Sequence, residues 1–300
     1  MLTELQQMKP LNVLVTGANG QLGNELRALR EPTGSMRFTF VDVDEMDFTK
    51  ENSIRSYFAG KKFDFIVNTA AYTDVERAEE ETALAYAINA SAVSVLSDIC
   101  LRNAIGLIHV STDYVLDGRG NKPVDENARP NPLSVYGKSK LEGETAVLST
   151  LPGAFIIRTS WLYSSFGKNF VKTIARLAAE RDHLDVIADQ AGSPTYARDL
   201  AYAIVKILDA VHKGRSNVPG IYHYANEGVT SWYDLACAVV RHMDLTCTVR
   251  PITTEDYPTL ATRPCYNVLD KRKIKTTFDI AIPNWYDSML SCLQELKGGN

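Results

Sequence analysis

Short apolar runs alternate with amphipathic stretches over the first half of the chain. Leu11–Thr16, Met36–Asp42, Phe63–Thr69, Ile105–Ser111 and Gly153–Ser160 are brief and rich in Val, Ile and Phe, so each reads as a buried strand. Helical periodicity fills the gaps, over Gln21–Arg30 and over a long stretch from about Glu79 to Asn103, acidic at its start as the helix dipole favours. Asn131-Pro132 reads as the opening of another helix, because Asn caps well and Pro tolerates the first helical position. Strand–helix alternation of this kind predicts an α/β fold, a doubly wound parallel sheet.

Beyond Trp161-Leu-Tyr163 the alternation loosens. Helical patterns cover 169–180, 197–211, 232–242 and 284–296, and strand-like pieces lie at 184–188, 220–225 and 248–252. Turn-rich segments such as Gly192-Ser-Pro194 and Tyr257-Pro258 separate them. The pattern predicts a sheet domain over 10–162 and a smaller mixed lobe over 163–300. Pieces at about 195–230 are candidates to rejoin the sheet.

The strand ends carry the candidate chemistry. Leu11–Thr16 runs directly into Gly17-Ala-Asn-Gly20-Gln21-Leu22-Gly23, and a helical pattern follows. Strand, glycines, helix is the order of a Rossmann-type dinucleotide site, in which glycines admit a pyrophosphate to a helix N-terminus. The spacing is G-x-x-G-x-x-G, not G-x-G-x-x-G. Asp42 closes the second strand nineteen residues after Gly23, placed to accept hydrogen bonds from an adenosine ribose. Asp44 adds charge and no basic residue occurs from Val41 to Thr49, which leans towards NAD(H) over NADP(H). Small residues follow the third strand, Ala70-Ala71-Tyr72-Thr73, and Thr112 ends the fourth.

Tyr136 and Lys140 stand four apart on the next helix, so both side chains share a face. At ~4 Å and an effective dielectric near ~20, an ammonium attracts a phenolate by at most ~4 kcal/mol, which before desolvation is subtracted would bring a phenol towards neutrality. Tyr202 and Lys206 repeat the spacing inside an ordinary amphipathic helix, with no strand end nearby. Company therefore singles out the first pair. Asn89 is a polar residue inside the long helix, readable as a satisfied helix polar or as an organiser of nearby backbone.

Composition narrows the classes. The 300 residues carry a net charge of −4, which suits neither a general nucleic-acid binder nor a membrane-surface protein. The longest apolar runs look strand-like, so no bilayer span is expected. Met1–Met8 lacks the basic-then-apolar build of a signal peptide, and the expectation is a cytoplasmic protein. Five scattered cysteines without C-x-x-C, and five histidines without ligand spacing, predict free thiols and no metal.

With these residues assembled, the chain resembles the extended short-chain dehydrogenases/reductases, and within them the dTDP-4-dehydrorhamnose reductase family. The likeness runs from Val13 to about Leu296 and rests on several segments together: Gly-Gln-Leu-Gly-Asn-Glu-Leu26, Val-Asn-Thr-Ala-Ala-Tyr-Thr73, Ser-Thr-Asp-Tyr-Val-Leu-Asp-Gly118, Val-Tyr-Gly-Lys-Ser-Lys-Leu-Glu-Gly-Glu144, Arg-Thr-Ser-Trp-Leu-Tyr163, Asp-Gln-Ala-Gly-Ser-Pro-Thr195 and Ala-Thr-Arg-Pro264. The resemblance implies NADPH- or NADH-dependent reduction of the C4 ketone of a dTDP-linked 6-deoxyhexose. It makes Tyr136 the proton donor, with Lys140 on the nicotinamide ribose and Thr112 on the reacting oxygen. It puts Gly20, Gln21 and Leu22 at the pyrophosphate, Asp42 at the adenosine ribose, and Asp47 and Phe48 beside the adenine. Ala71, Tyr72 and Thr73 line the cofactor; Thr112, Asp113 and Trp161 face the sugar nucleotide, with Arg263 a candidate diphosphate contact.

The related 4,6-dehydratases carry Asp-Glu after the catalytic Thr; here Asp113-Tyr114 follows Thr112, which favours reduction over elimination. Some members dimerise through Mg²⁺ held by glutamates. Glu25 matches one such position, but Arg198 stands where the partner is expected, so the expectation is a monomer or a metal-independent homodimer. Reduction of another nucleotide-linked keto-sugar stays open. So does a catalytically idle binding role like that of the methionine adenosyltransferase regulatory beta subunit, against which the intact Thr112, Tyr136 and Lys140 argue.

Overall fold

The computed structural model describes residues 9–29, 35–215 and 218–298. The N-terminal stretch Met1–Met8 and Arg30 lie outside them. β1 (Leu11–Thr16) leads through α1 (Gln21–Ala28) to β2 (Met36–Val41), α2 (Glu51–Phe58) and β3 (Phe65–Asn68). Then come α3 (Val75–Glu80), α4 (Thr82–Tyr86), a π-helical turn over Ala87–Ser91, α5 (Ala92–Asn103) and β4 (Gly106–Thr112). A 3₁₀ turn (Asp113–Val115), α6 (Val135–Thr150) and β5 (Phe155–Thr159) complete this half.

The second half holds β6 (Leu162–Tyr163), α7 (Phe170–Glu180), β7 (His183–Ile187), β8 (Ala191–Gly192), β9 (Thr195–Tyr196), α8 (Ala197–His212) and β10 (Gly220–Tyr224). β11 (Thr230–Ser231), α9 (Trp232–His242), β12 (Thr248–Ile252), β13 (Tyr266–Asn267), α10 (Arg272–Phe278) and α11 (Trp285–Gly298) follow.

Six strands form one parallel sheet in the order β2-β1-β3-β4-β5-β10, the Rossmann-like doubly wound α/β arrangement expected from the alternation. From β1 the chain turns to β2 on one side and crosses to β3 on the other. The strand order reverses there, and a crevice opens at the carboxyl ends. Leu22 and Leu26 of α1, Leu200, Ile204 and Ile207 of α8, and Ile274 and Phe278 of α10 bury one face of the sheet. Ile54 of α2, Val93, Leu96 and Cys100 of α5, and Val147 of α6 bury the other. A separate core unites α7, α9 and α11 with Tyr163 and Tyr196 in the C-terminal lobe. β10 joins the large sheet from this later part of the chain, parallel to β5.

Two expectations need correction. α6 begins at Val135, not Pro132, because Ser134 is the cap: its Oγ accepts the Gly137 N–H at 3.2 Å. Asn131 is committed elsewhere, its N–H to the Val115 carbonyl at 2.9 Å and its side-chain amide to Asp117 at 3.1 Å. Second, the pieces from Thr82 to Asn103 join into a 22-residue helical run that meets the length and apolarity of a membrane span. Half of it is buried, with Val93, Leu96 and Cys100 in the core under the sheet.

α6 is seated by close approach and by charge rather than by an apolar stripe. A Cβ on Gly137 would meet the Tyr114 carbonyl oxygen at 2.2 Å, and one on Gly143 the Asn89 carbonyl oxygen at 2.2 Å. One turn beyond Lys140, the buried Glu144 carboxylate accepts two hydrogen bonds from Arg158 of β5, at 2.9 and 2.6 Å, and one from Ser111 of β4 at 2.5 Å. Removing one member of such a pair strands the other charge in the interior. Glu144→Ala is therefore expected to lower unfolding free energy by about 3–5 kcal/mol in urea titrations. Arg176→Ala, at an exposed helix-surface pair with Glu180, should leave stability within experimental error.

Candidate active site

The crevice at the strand ends is a cleft of about 710 Å³. One end is lined by Asp42, Asp47 and Phe48, the middle by Gly17, Gly20, Gln21 and Leu22, and the far end by Thr112, Asp113, Tyr136, Lys140 and Trp161. Ala71 and Thr73 line it as well. The topology thus brings together residues more than a hundred positions apart.

The glycine turn shows why it is built this way. Gly17 has φ +65°, and a Cβ there would lie 2.8 Å from the Ala70 backbone, so β1 and β3 close on each other only at glycine. Gly23 is off the cleft, pressing α1 onto the turn, with its would-be Cβ 2.4 Å from the Gly17 carbonyl oxygen. α1 starts at Gly20 without a side-chain cap, which leaves first-turn N–H groups for an anion. At the Asp42 end, the carboxylate accepts the Asn19 N–H at 2.7 Å and the Val43 N–H at 2.8 Å, keeping its remaining lone pairs for hydroxyl donors. The Thr49 hydroxyl and the Lys50 ammonium hold the Asp47 carboxyl down at about 2. An elongated cleft with an uncapped helix start in its middle and a carboxylate at one end fits a dinucleotide.

Tyr72 is turned away. Its phenol donates to Glu81 at 2.6 Å, and its backbone N–H and carbonyl are clamped by the Asn89 side chain at 2.9 and 3.0 Å. Asn89 also donates to Ser139 of α6 at 3.0 Å, so the polar residue of the π-turn organises backbone next to the cleft. Arg263 is outside the cleft lining and pairs with Glu76 at 2.5 Å. Glu25 is fully buried, paired with Arg198 at 2.9 Å and accepting the Ser164 hydroxyl at 2.5 Å. Tyr202 is exposed, and Lys206 donates to the Asp279 carbonyl, as an ordinary helix pair would.

The electrostatics of the central pair differ from the expectation. Burial raises the Tyr136 phenol to about 12, against the pull of the Thr112 hydroxyl beside it. Burial also lowers the Lys140 ammonium to about 8, and its Nζ donates to the Val110 carbonyl at 2.8 Å. Desolvation is the largest influence on both groups, so the phenol stays protonated at neutral pH. Thr112 donates to Asp113 at 3.0 Å and accepts the Tyr114 N–H at 3.2 Å. Asp113 in turn accepts a hydrogen bond at 2.7 Å from Asn267, which comes from β13 in the lobe.

Trp161 has φ +46°, and its ring stacks on Trp232 of α9 at 3.6 Å, 14° from parallel. Trp232 and Lys168 also line the cleft. Sequence reasoning missed these two and Asn267. All three lie on lobe segments where no repeating pattern fixes distance to the sheet, so nothing in the chain flagged them.

Fold and cleft define the class: a Rossmann-type protein with the strand-end Thr and Tyr-x-x-x-Lys arrangement of the extended short-chain dehydrogenases/reductases. The family model described as RmlD substrate binding domain matches residues 11–297. The dTDP-4-dehydrorhamnose reductase of Aggregatibacter actinomycetemcomitans is 41% identical over 91% of this chain and 95% of its own. Among solved structures, a dTDP-4-dehydrorhamnose reductase of Clostridium acetobutylicum superposes with a TM-score of 0.90 at 36% identity, covering 96% of this chain and all of that one. Another, from Bacillus anthracis in complex with NADP, gives 0.89 at 34% identity over 95% and 99% of the two chains. The chain belongs to the dTDP-4-dehydrorhamnose reductase family.

Asp113 yields a pH prediction. Burial raises its carboxyl to about 7, so the folded state binds more protons than the unfolded chain between about 4 and 7. Stability associated with the neutral form is full below the unfolded value and is lost as pH rises through about 7. The melting temperature of the native protein should therefore fall more between pH 5 and pH 8 than that of Asp113→Asn, measured by calorimetry in matched buffers. Equal slopes would contradict the shift.

Proposed function

We propose that this protein reduces the C4 ketone of dTDP-4-dehydro-6-deoxy-L-mannose, giving dTDP-L-rhamnose, with NADPH or NADH as reductant. The observation that carries the reading is one cleft holding the glycine turn at its middle and Thr112, Tyr136 and Lys140 at one end. Membership of the family supports the substrate, and the NADP carried by the Bacillus anthracis relative supports the cofactor class.

In this reading Gly17, Gly20, Gln21 and Leu22 cradle the pyrophosphate, while Asp42 holds the adenosine ribose and Asp47 and Phe48 flank the adenine. Ala71 and Thr73 let the cofactor lie close to β3, and the Tyr72 backbone, held by Asn89, shapes that wall. When bound, the reduced nicotinamide supplies the hydride.

Tyr136 carries the proton. A phenol held near 12 is fully protonated in the working range and gives its Oη proton to the C4 oxygen as negative charge develops there. Thr112 swings its one hydroxyl proton from Asp113 to the same oxygen, while its Oγ1 goes on accepting the Tyr114 N–H. Lys140 would hold the nicotinamide ribose. Tyr114 stands where the dehydratases have Glu, so the chain has no second carboxylate there to take a C5 proton. Trp161 and Asp113 face the sugar nucleotide. We assign the cofactor to the 10–162 portion with β10, and substrate selection mainly to the rest of 163–300.

Tyr136→Phe removes the proton and leaves the packing. Nicotinamide oxidation with the keto-sugar nucleotide should fall at least ~10²-fold while the fold is unchanged by circular dichroism. Unchanged turnover removes Tyr136 as the acid. A parallel panel of dTDP-, UDP- and GDP-linked keto-sugars tests the substrate, with the dTDP compound expected to give the highest kcat/KM.

A further inference from the structure

The cleft is short of positive charge. Its lining holds three carboxylates, Asp42, Asp47 and Asp113, and two cations, Lys140 and Lys168. Lys140 sits at the reactive end with its Nζ on the Val110 carbonyl. Lys168 is exposed, and among the described residues it has no ion-pair or hydrogen-bond partner. A dinucleotide brings at least two phosphate charges to the middle of this cleft.

Lys168 is delivered there by a pinned arch from the lobe. Gln21, the first residue of α1, donates through Nε2 to the Leu162 carbonyl at 3.4 Å and accepts at Oε1 from Asn169 at 3.0 Å. The Asn169 amide also donates to the Ser164 carbonyl at 2.7 Å, and the Ser164 hydroxyl reaches Glu25 of α1. Gly167, at φ +66°, lies so close that a Cβ there would stand 3.1 Å from Gln21 Cγ and 4.0 Å from the Gln21 backbone nitrogen. Both chain neighbours of Lys168 are thus held against the residue that opens the uncapped helix. An ordinary solvated lysine needs no such arch.

We propose that Lys168 is a cofactor-binding residue whose ammonium pairs with the pyrophosphate of the nicotinamide dinucleotide, facing the N–H groups of α1 from the lobe side. The inference rests on the reading of the cleft as a dinucleotide site. The first-turn N–H groups and dipole of α1 draw one side of the anion, and Lys168 adds a full charge opposite. The substrate's own diphosphate shares this chemistry. Contact of the arch with Gln21, rather than with Trp161 or Thr112, assigns the lysine to the cofactor.

Binding of NADPH, ADP-ribose and dTDP to the full chain, by calorimetry and nucleotide fluorescence, tests this. Lys168→Gln should weaken NADPH and ADP-ribose about tenfold, less so in high salt, and leave dTDP unchanged. Lys168→Arg should restore most of the lost affinity. Equal NADPH affinity in the native protein and Lys168→Gln, or a loss confined to dTDP, overturns the proposal. A native protein that binds neither NADPH nor NADH refutes the dinucleotide reading itself, which separates the two failures.

Discussion

The structure depends on how α6 is seated on the sheet. At Gly137 and Gly143 the helix comes so near its neighbours that a methyl group would collide with carbonyl oxygen. Between these points lie Ser139 and Lys140, and one turn on, Glu144 is locked to Arg158 and Ser111. This contact is polar and tight, and it decides where Tyr136 and Lys140 meet the strand ends. A buried ion pair adds little net stability over an apolar contact of the same shape, but its geometry is directional. Here it sets the depth of the helix that carries Tyr136.

Around that helix the parts divide by what each strand end supplies. β1 and β3 meet at Gly17, leaving the N-terminus of α1 open to an anion. β4 ends in Thr112, whose hydroxyl is oriented by Asp113 and, through it, by Asn267 of the lobe. The lobe returns to the same cleft through Trp161 stacked on Trp232, and through the arch pinned to Gln21. The sheet and the lobe are therefore wired together by hydrogen bonds, not joined by a loose linker.

Much of this was legible in the chain. β1, β3, β4 and β5 are almost wholly buried parallel strands, and such strands read as continuous apolar runs, so Leu11–Thr16 was located to the residue. The glycine turn, Asp42 and Thr112 declared themselves because they stand at strand ends, and Tyr136 and Lys140 because they stand four apart on the helix that follows one. The start of α6 did not. Its buried face is Tyr136, Gly137, Ser139, Lys140, Gly143 and Glu144, without an apolar stripe, and Ser134 competes with Asn131 as a cap. The spacing revealed Lys140 as a charged neighbour of Tyr136 but not how deeply both are buried, and burial is the largest influence on the phenol. Asn267, Trp232 and Lys168 were invisible, since lobe loops reach the site along routes that no periodicity encodes.

The central claim is that this cleft passes hydride to a sugar carbonyl, and isotope transfer tests it most directly. Incubation with the keto-sugar nucleotide and NADPH or NADH carrying deuterium at the transferable C4 position, followed by NMR of the product, should show deuterium at C4 of the hexose and nowhere else on the ring. Sugar nucleotide recovered without deuterium, under conditions where the protein binds both ligands, would contradict the account.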